Sequence, residues 1–473
     1  MGIVNRRFYA DIMDLHEEVT GSCHLVVVKL PNGRTIKFLV DCGLFQEPQY
    51  EELNSNFTFN ADELDFVCVT HNHTDHTGRV PMLYHQGYSG KVYCTIPTRS
   101  LMPLSMIDNY KVLKEAYKRA HKKQIYTEVD VDRALSNLEG CKYGEKIVID
   151  ENIEIKFLKN GHLLGASMIL VRIKYPDEQD MFILFTGDYK PSNVFFDVDP
   201  LPEWVKKLPL TIITESTYGI MTTDEIEYCF EDNILEAIQA NKDVILPVFS
   251  LGRCQEILYI LRCLQREGKL PASIPIYFDG PLAHSYTKIY LDHPEWLHES
   301  MREFLPVNLR YVQKQDREDI VETDQQKIIV TTGGMVSHGP IQYYLPEFIE
   351  RSNVLIHLTG YCAEGTLGRV LKETEYGNAL SLSGITVLKE AEVKDTNEFS
   401  GHAKADELIE LLKQFDNIQT VLINHGEHDE KFEFSKIVKE EINPSHHVAI
   451  LDRQHYYRIG QYGLIKVLNT KFL

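Results

Sequence analysis

Apolar residues along this chain gather into short runs separated by polar and glycine-containing stretches. Phe66-Val67-Cys68-Val69 is one such run, bounded by polar residues on both sides, and reads as a buried strand. Leu25-Val26-Val27-Val28 and Thr35-Ile36-Lys37-Phe38-Leu39-Val40 flank the turn signal Pro31-Asn32-Gly33-Arg34 and predict a hairpin. Further strands are expected over residues 91–95, 154–158, 182–185 and 211–214. The stretch from about Thr98 to Glu139 has helical character, and Lys111, Lys114, Lys118 and Lys122 fall on one face of it. Such a face could contact phosphates, although a solvated helix surface gives the same pattern.

From about Met221 to Gly384 the texture changes. Helical segments alternate with the apolar runs 244–248, 276–278, 328–330 and 354–358, the pattern of a parallel sheet in a second α/β domain. Beyond about Ile385 the earlier grammar returns, with a helix from Asp406 to Phe415 and a strand over Thr420-Val421-Leu422-Ile423. The middle region therefore reads as an insertion, 216–388, into a domain built from 1–215 and 389–473.

Candidate chemistry stands at the strand ends, where α/β proteins place it. Thr70-His71-Asn72-His73-Thr74-Asp75-His76 follows the run 66–69 directly. In extended backbone His71 and His73 point the same way, while Asp75 and His76 lie past the bend and can face a second point. Imidazole and carboxylate at this spacing suit zinc and similar divalent ions. The same arrangement recurs at His162, Asp188, Glu215 and His425, each next to or near a glycine, and Ser400-Gly401-His402 stands just before a helix. Asp41, at the end of the hairpin strand, can either orient a ligand histidine from behind or cap the turn into Gly43.

Bulk properties narrow the class. At 473 residues the chain exceeds the size at which a single core stops growing. No apolar run is long enough to span a bilayer, and the nine cysteines are scattered without a Cys-x-x-Cys pair, as expected of a cytoplasmic protein. A net charge of −20 repels polyanions at long range, so a nucleic-acid substrate requires a locally positive groove. The glycine-rich turns Gly252-Arg253, Gly333-Gly334 and Gly360 match neither a P-loop nor a dinucleotide fingerprint.

Taken in order, Val19-Thr20-Gly21-Ser22, Asp41-Cys42-Gly43, His71-x-His73-x-Asp75-His76, His162, Asp188, Glu215-Ser216-Thr217-Tyr218-Gly219, Gly252-Arg253-x-Gln255-Glu256, Gly360-Tyr361-x-x-Glu364-Gly365-Thr366, Ser400-Gly401-His402 and His425-Gly426-Glu427 resemble the β-CASP branch of the metallo-β-lactamase superfamily. The resemblance is greatest to prokaryotic homologues of the endonuclease that cleaves mRNA 3′ ends. It implies a four-layer αββα fold with an inserted α/β domain carrying a parallel sheet. It also implies two Zn2+ ions, or another divalent metal such as Mn2+. His71, His73 and His162 would hold the first; Asp75, His76 and His425 would hold the second; Asp188 would bridge them. Asp75, Glu215 and His402 become the expected catalytic residues. Ser216, Tyr218, Arg253, Gly334 and Ser400 become expected substrate contacts, with Asp41 as support. Where close relatives often carry Asp two residues after the second branch histidine, this chain has Lys404.

The reaction implied is hydrolysis of single-stranded RNA to 5′-phosphate and 3′-hydroxyl ends, with two metals about 3.5–4 Å apart lowering the pKa of a shared water. His402 is the expected proton donor to the leaving oxygen. A homodimer is compatible with this reading, and no membrane is expected. Two other readings are weaker. A non-catalytic RNA scaffold would not need all seven ligand-type residues, and a hydrolase of small anionic esters would not need a full-size inserted domain.

Overall fold

The computed structural model describes residues 8–469 apart from 17, 31, 176–177, 361, 363–364, 383 and 443–446. Pro31, Tyr361 and Glu364 of the sequence motifs therefore lie outside the described residues. The chain divides into two compact units, one formed by residues 1–223 with 401–473 and the other by 224–400.

The first unit is a sandwich of two sheets. Strands Tyr9–Asp14, His24–Lys29 and Thr35–Val40 run antiparallel, and Phe66–Cys68, Val92–Thr95 and Leu138–Cys141 continue the same sheet in parallel. The strands His455–Gly460 and Gly463–Asn469 complete its eight-stranded order against Tyr9–Asp14. The second, seven-stranded sheet contains Ile153–Lys159, Ser167–Ile173, Met181–Phe185 and Leu210–Thr214. Ile418–Ile423 joins it in parallel beside Leu210–Thr214.

Alternation of side chains across each strand makes the layers. Ile12, Val26 and Phe38 of one sheet meet Ile155, Phe157 and Ile183 of the other in a shared core. The outer face of the first sheet carries Leu39, Val67 and Val92 against Met82, Met102 and Val131 of three helices. The outer face of the second carries Leu170, Leu184 and Val421 against Leu408, Leu412 and Phe434. The result is four layers, αββα, as the resemblance implies.

The other unit has three layers around a six-stranded sheet whose neighbouring strands all run parallel. Helix Arg253–Arg266 buries Ile257, Leu258 and Leu261 on one face, and Tyr344 and Phe348 of helix Ile341–Phe348 pack on the other.

Three local expectations change. The helical stretch is two helices, Ile96–Arg119 and Glu128–Ser136, and 138–141 is a strand. The break falls at Ala120 and His121, with Thr127 opening the second helix through a capping box. Lys122 therefore lies past the first helix rather than on its face, and its ammonium pairs with Glu51 at 3.0 Å. The compact units divide at 223/224 and 400/401. Tyr218 bridges to Lys404, and the Thr223 amide donates to Asp406, which keeps 216–223 with the sandwich. Glu392–Asp395 forms the edge strand beside Val354–Leu358, which keeps it with the inserted sheet. Among the described residues no helix is long and apolar enough to cross a membrane.

Candidate metal centre

The central loop leaves strand Phe66–Cys68 in extended backbone and turns into the short helix Thr74–Thr77 at His73. His71 and His73 accordingly face the same side, their rings 4.8 Å apart and nearly perpendicular. The helical turn carries Asp75 and His76 to a second location. Gly43 is required beside it, since a Cβ there would stand 1.5 Å from the Asp75 carbonyl oxygen.

His162 comes in from the turn after Ile153–Lys159. Asn160 fixes that turn: its Oδ1 accepts from the His162 amide at 3.0 Å, and its Nδ2 donates to the carbonyls of Thr186 and Asp188 at 3.2 and 3.0 Å. One amide thus ties the His162 loop to the Asp188 loop. His162 Nδ1 donates to the Gly401 carbonyl at 2.7 Å, which leaves Nε2 directed at the cluster. His425, just past strand Ile418–Ile423, has φ of 46°, and Asp41 has φ of 62°. Both are non-glycine residues in the left-handed region, a strain found where structure serves a site.

These side chains form two groups that share one carboxylate. His71, His73, His162 and Asp188 have ligand atoms within 4.8 Å of one another, and so do Asp75, His76, Asp188 and His425. Asp188 Oδ1 lies 3.2 Å from His76 Nε2 and 3.3 Å from His425 Nε2. Its Oδ2 lies 3.5 Å from His71 Nε2 and 3.6 Å from His162 Nε2. One oxygen thus faces each group.

The donor set fits divalent cations. Nε2 of His71 and Oδ1 of Asp188 are buried without a hydrogen-bond partner, an arrangement that is costly unless a ligand satisfies it. His76 and His425 present their Nε2 atoms to each other at 3.3 Å. The His76 Nδ1–H donates to Asp41 Oδ2 at 2.8 Å, so its Nε2 carries a lone pair in the neutral ring. His425 Nδ1 is paired with Thr217 Oγ1 at 3.0 Å. Two imidazole nitrogens aimed at one point, with a carboxylate between them, are a set that can hold a cation.

In the first group the electrostatics agree, whereas in the second burial lowers His76 and His425 but Asp188 foremost outweighs it and raises both. Burial, reinforced by neighbouring imidazoles, holds His71 and His162 well below the ordinary histidine value. For His73 burial outweighs the pull of Asp75 and leaves it at about 4. All three are neutral rings, the form that binds metal. Burial pushes Asp188 up, but the surrounding imidazoles, His425 and His76 first, outweigh it and hold the group well below the usual carboxylate range.

Asp41 anchors the loop from behind. Its Oδ1 accepts from the Thr70 amide at 2.7 Å, and its Oδ2 accepts from Thr70 Oγ1 and His76 Nδ1, each at 2.8 Å. Beside the cluster, His402 Nδ1 donates to Glu215 Oε2 at 2.8 Å, while its Nε2 lies 3.8 Å from Asp188 Oδ2. Burial would lower the His402 pKa, but Glu215 and Asp188 together outweigh it and raise it to about 9. Glu215 is buried and its other oxygen accepts from the Tyr189 amide.

The expected substrate contacts fare differently. Ser216 is fully buried and its hydroxyl donates to the Asn424 carbonyl at 2.8 Å, so it braces the His425 strand and is not available to a substrate. Tyr218 is half-buried, with the Lys404 ammonium 3.5 Å from its ring centre and the His402 ring 6.2 Å away. Arg253, Gly334 and Ser400 belong to the inserted unit, where Arg253 donates to Glu256 and to the Phe399 carbonyl, each at 2.6 Å. Sequence patterns do not single out Asn160, Thr217 or the Gly401 carbonyl. Single amides and hydroxyls carry no spacing signal, although Asn160 stands two residues before His162 and Thr217 two after Glu215.

Comparison with known proteins agrees with this fold. Residues 32–187 match the metallo-beta-lactamase superfamily domain, 254–371 the Beta-Casp domain, and 387–449 the Zn-dependent metallo-hydrolase RNA specificity domain. The chain is 33% identical over 435 residues to the RNase J-like protein of Methanocaldococcus jannaschii, covering 89% of this chain and 93% of the relative. It is 31% identical over 439 residues to transcription termination factor FttA of Methanosarcina mazei, covering 88% of this chain and 66% of that protein. Ribonuclease TTHA0252 of Thermus thermophilus is 29% identical over 437 residues, with 89% and 94% covered. A buried His/Asp cluster at the strand ends of an αββα sandwich, an inserted parallel-sheet unit and these matches together show that the chain belongs to the β-CASP branch of the metallo-β-lactamase superfamily of hydrolases.

Proposed function

We propose that the protein is a ribonuclease that hydrolyses phosphodiester bonds of single-stranded RNA to 5′-phosphate and 3′-hydroxyl ends, with two zinc ions as cofactors. The observation that carries the reading is the division of Asp188 between the two ligand groups, with the His402–Glu215 pair alongside. The names of two relatives, a ribonuclease and an RNase J-like protein, and the match to an RNA specificity domain support RNA as the substrate.

His71, His73, His162 and Asp188 would hold one ion, and Asp75, His76, His425 and Asp188 the other. Two bound divalent cations supply a lowered water pKa and positive charge against the anion that develops at phosphorus. The chain's own groups do the rest. Asp41 and Thr217 hold the His76 and His425 rings so that Nε2 of each faces inward. Water gives one proton to bulk solvent and adds to phosphorus opposite the 3′ oxygen as the P–O3′ bond breaks; a solvent proton later restores His402. His402 gives its Nε2 proton to that oxygen, and Glu215 keeps the ring protonated and turned toward Asp188. Nine cysteines without a disulfide support a cytoplasmic setting.

The test is incubation of the purified chain with end-labelled single-stranded RNA and DNA, with and without chelator. RNA cleavage that chelator abolishes and zinc restores is expected. Chelator-insensitive cleavage, or no cleavage of RNA by the zinc-loaded protein, overturns the reading.

A further inference from the structure

A second cluster of ligand-type side chains lies near the start of the chain. Strands Tyr9–Asp14 and His24–Lys29 pair antiparallel with Asp14 opposite His24. The pairing continues past the strand end, since the Leu15 amide donates to the Cys23 carbonyl at 2.9 Å. Residues two apart in extended chain share a face, so His16 joins Asp14 and His24. That is the face on which Ile12 and Val26 enter the core between the two sheets. A carboxylate and two imidazoles thus occupy positions where the pattern calls for apolar residues. Asp14 and His16 are each 2% exposed and His24 is 4% exposed.

Burying three such groups is costly unless each is satisfied. They satisfy each other only in part, through the ion pair of Asp14 with His16. Asp14 Oδ1 lies 2.6 Å from His16 Nδ1 and 3.4 Å from His24 Nδ1. Yet Asp14 Oδ1, both ring nitrogens of His16 and Nδ1 of His24 have no hydrogen-bond partner. The atoms approach closely without the alignment of a donor and an acceptor. The same signature marks His71 Nε2 and Asp188 Oδ1 in the main centre. The ligand atoms of the three residues lie within 4.8 Å of one another.

We propose that Asp14, His16 and His24 form a third metal site, separate from the two groups around Asp188, that takes a divalent cation of the zinc class. Two imidazoles and one carboxylate are a borderline-soft donor set, suited to zinc rather than to calcium or magnesium. Binding at His24 Nδ1 puts the proton on Nε2, which lies 2.9 Å from the Asn424 side-chain amide; turned over, that amide accepts it through Oδ1. The His16 ring packs edge-on against His425 at 5.9 Å, so the cation would stiffen the hairpin that abuts a residue of the main centre.

Zinc itself is the probe, and bound equivalents on the full chain are the readout, counted by native mass spectrometry after chelation and reloading. A His71→Ala/Asp188→Ala variant, stripped of residues from both main groups, is expected to hold one equivalent that disappears on adding His16→Gln. Its melting temperature should rise with added zinc, and the rise should vanish with His16→Gln. If the double variant does not fold, the comparison is between the unmodified chain and single His16→Gln and Asp14→Asn variants, each expected to hold one equivalent fewer. Equal zinc content with and without His16, in either background, overturns the site. Failure of the main-centre reading would register separately, as zinc content that Asp188→Ala alone does not change.

Discussion

The imidazole of His402 stands 2.8 Å from the carboxylate of Glu215, with its other nitrogen turned toward Asp188. Burial lowers the His402 pKa, but the Glu215 and Asp188 carboxylates outweigh it and raise it to about 9. The ring is therefore an acid at neutral pH. Replacing His402 with Ala should lower kcat/KM by about 10²–10⁴-fold, the usual worth of a proton donor, while zinc content by mass spectrometry stays unchanged. Loss of zinc in this variant would mean that His402 is a ligand instead.

The partner has a different signature. An acid must be protonated to act, so activity should fall as pH rises through the His402 value. Glu215→Gln removes the negative charge that raises this value, and the alkaline limb of the kcat/KM profile should move to lower pH. An unmoved limb would show that another group titrates there.

Asp188 divides its oxygens between two sets of histidines. Asp188→Ala should therefore lower zinc content in both and abolish metal-dependent turnover, whereas a residue serving one group would affect one ion. Equilibrium dialysis against zinc distinguishes the cases.

Asp41 touches no position that a metal would occupy, yet it accepts from the ring nitrogen that faces away from the cluster in His76. Asp41→Asn should weaken zinc binding by about 10–100-fold, the usual effect of losing an outer partner of a ligand histidine. Titration with a competing chelator measures this.

Acid should destabilise the zinc-free protein. His24, His73 and His357 are each held at about 4 chiefly by burial, against an ordinary 6.5. Between those values the unfolded chain binds more protons than the folded one, so stability falls as pH drops from 6.5 toward 4. Denaturant midpoints of chelated protein across this window should decline steadily. His357→Phe, in the inserted unit and away from the ligands, should make the decline shallower.

Much of the fold and of the centre is legible in the chain, for physical reasons that differ by residue. His71, His73, Asp75 and His76 announce themselves because four ligand-type side chains in six positions seldom gather except around a cation. His162, Asp188 and His425 are single residues, readable only because each follows an apolar strand. The four layers follow from the strand runs together with the family motifs. Ser216 misleads, because its place inside a motif suggests contact with a substrate, while its hydroxyl is spent on the Asn424 carbonyl. Asn160 and Thr217 stay hidden, since one amide or hydroxyl makes no pattern. Asp14 and His24 become neighbours only through strand register, which the runs of residues do not disclose.

Strand Ile418–Ile423, which delivers His425, is among the last pieces of the sandwich to be synthesised, after the whole inserted unit. A ribosome-bound chain that has already extruded His71 through Asp188 still lacks one ligand of the second group and the partner that Glu215 needs. The order of residues along the polypeptide therefore sets an order of assembly: the second ligand group cannot close until the inserted unit and His425 have both been made.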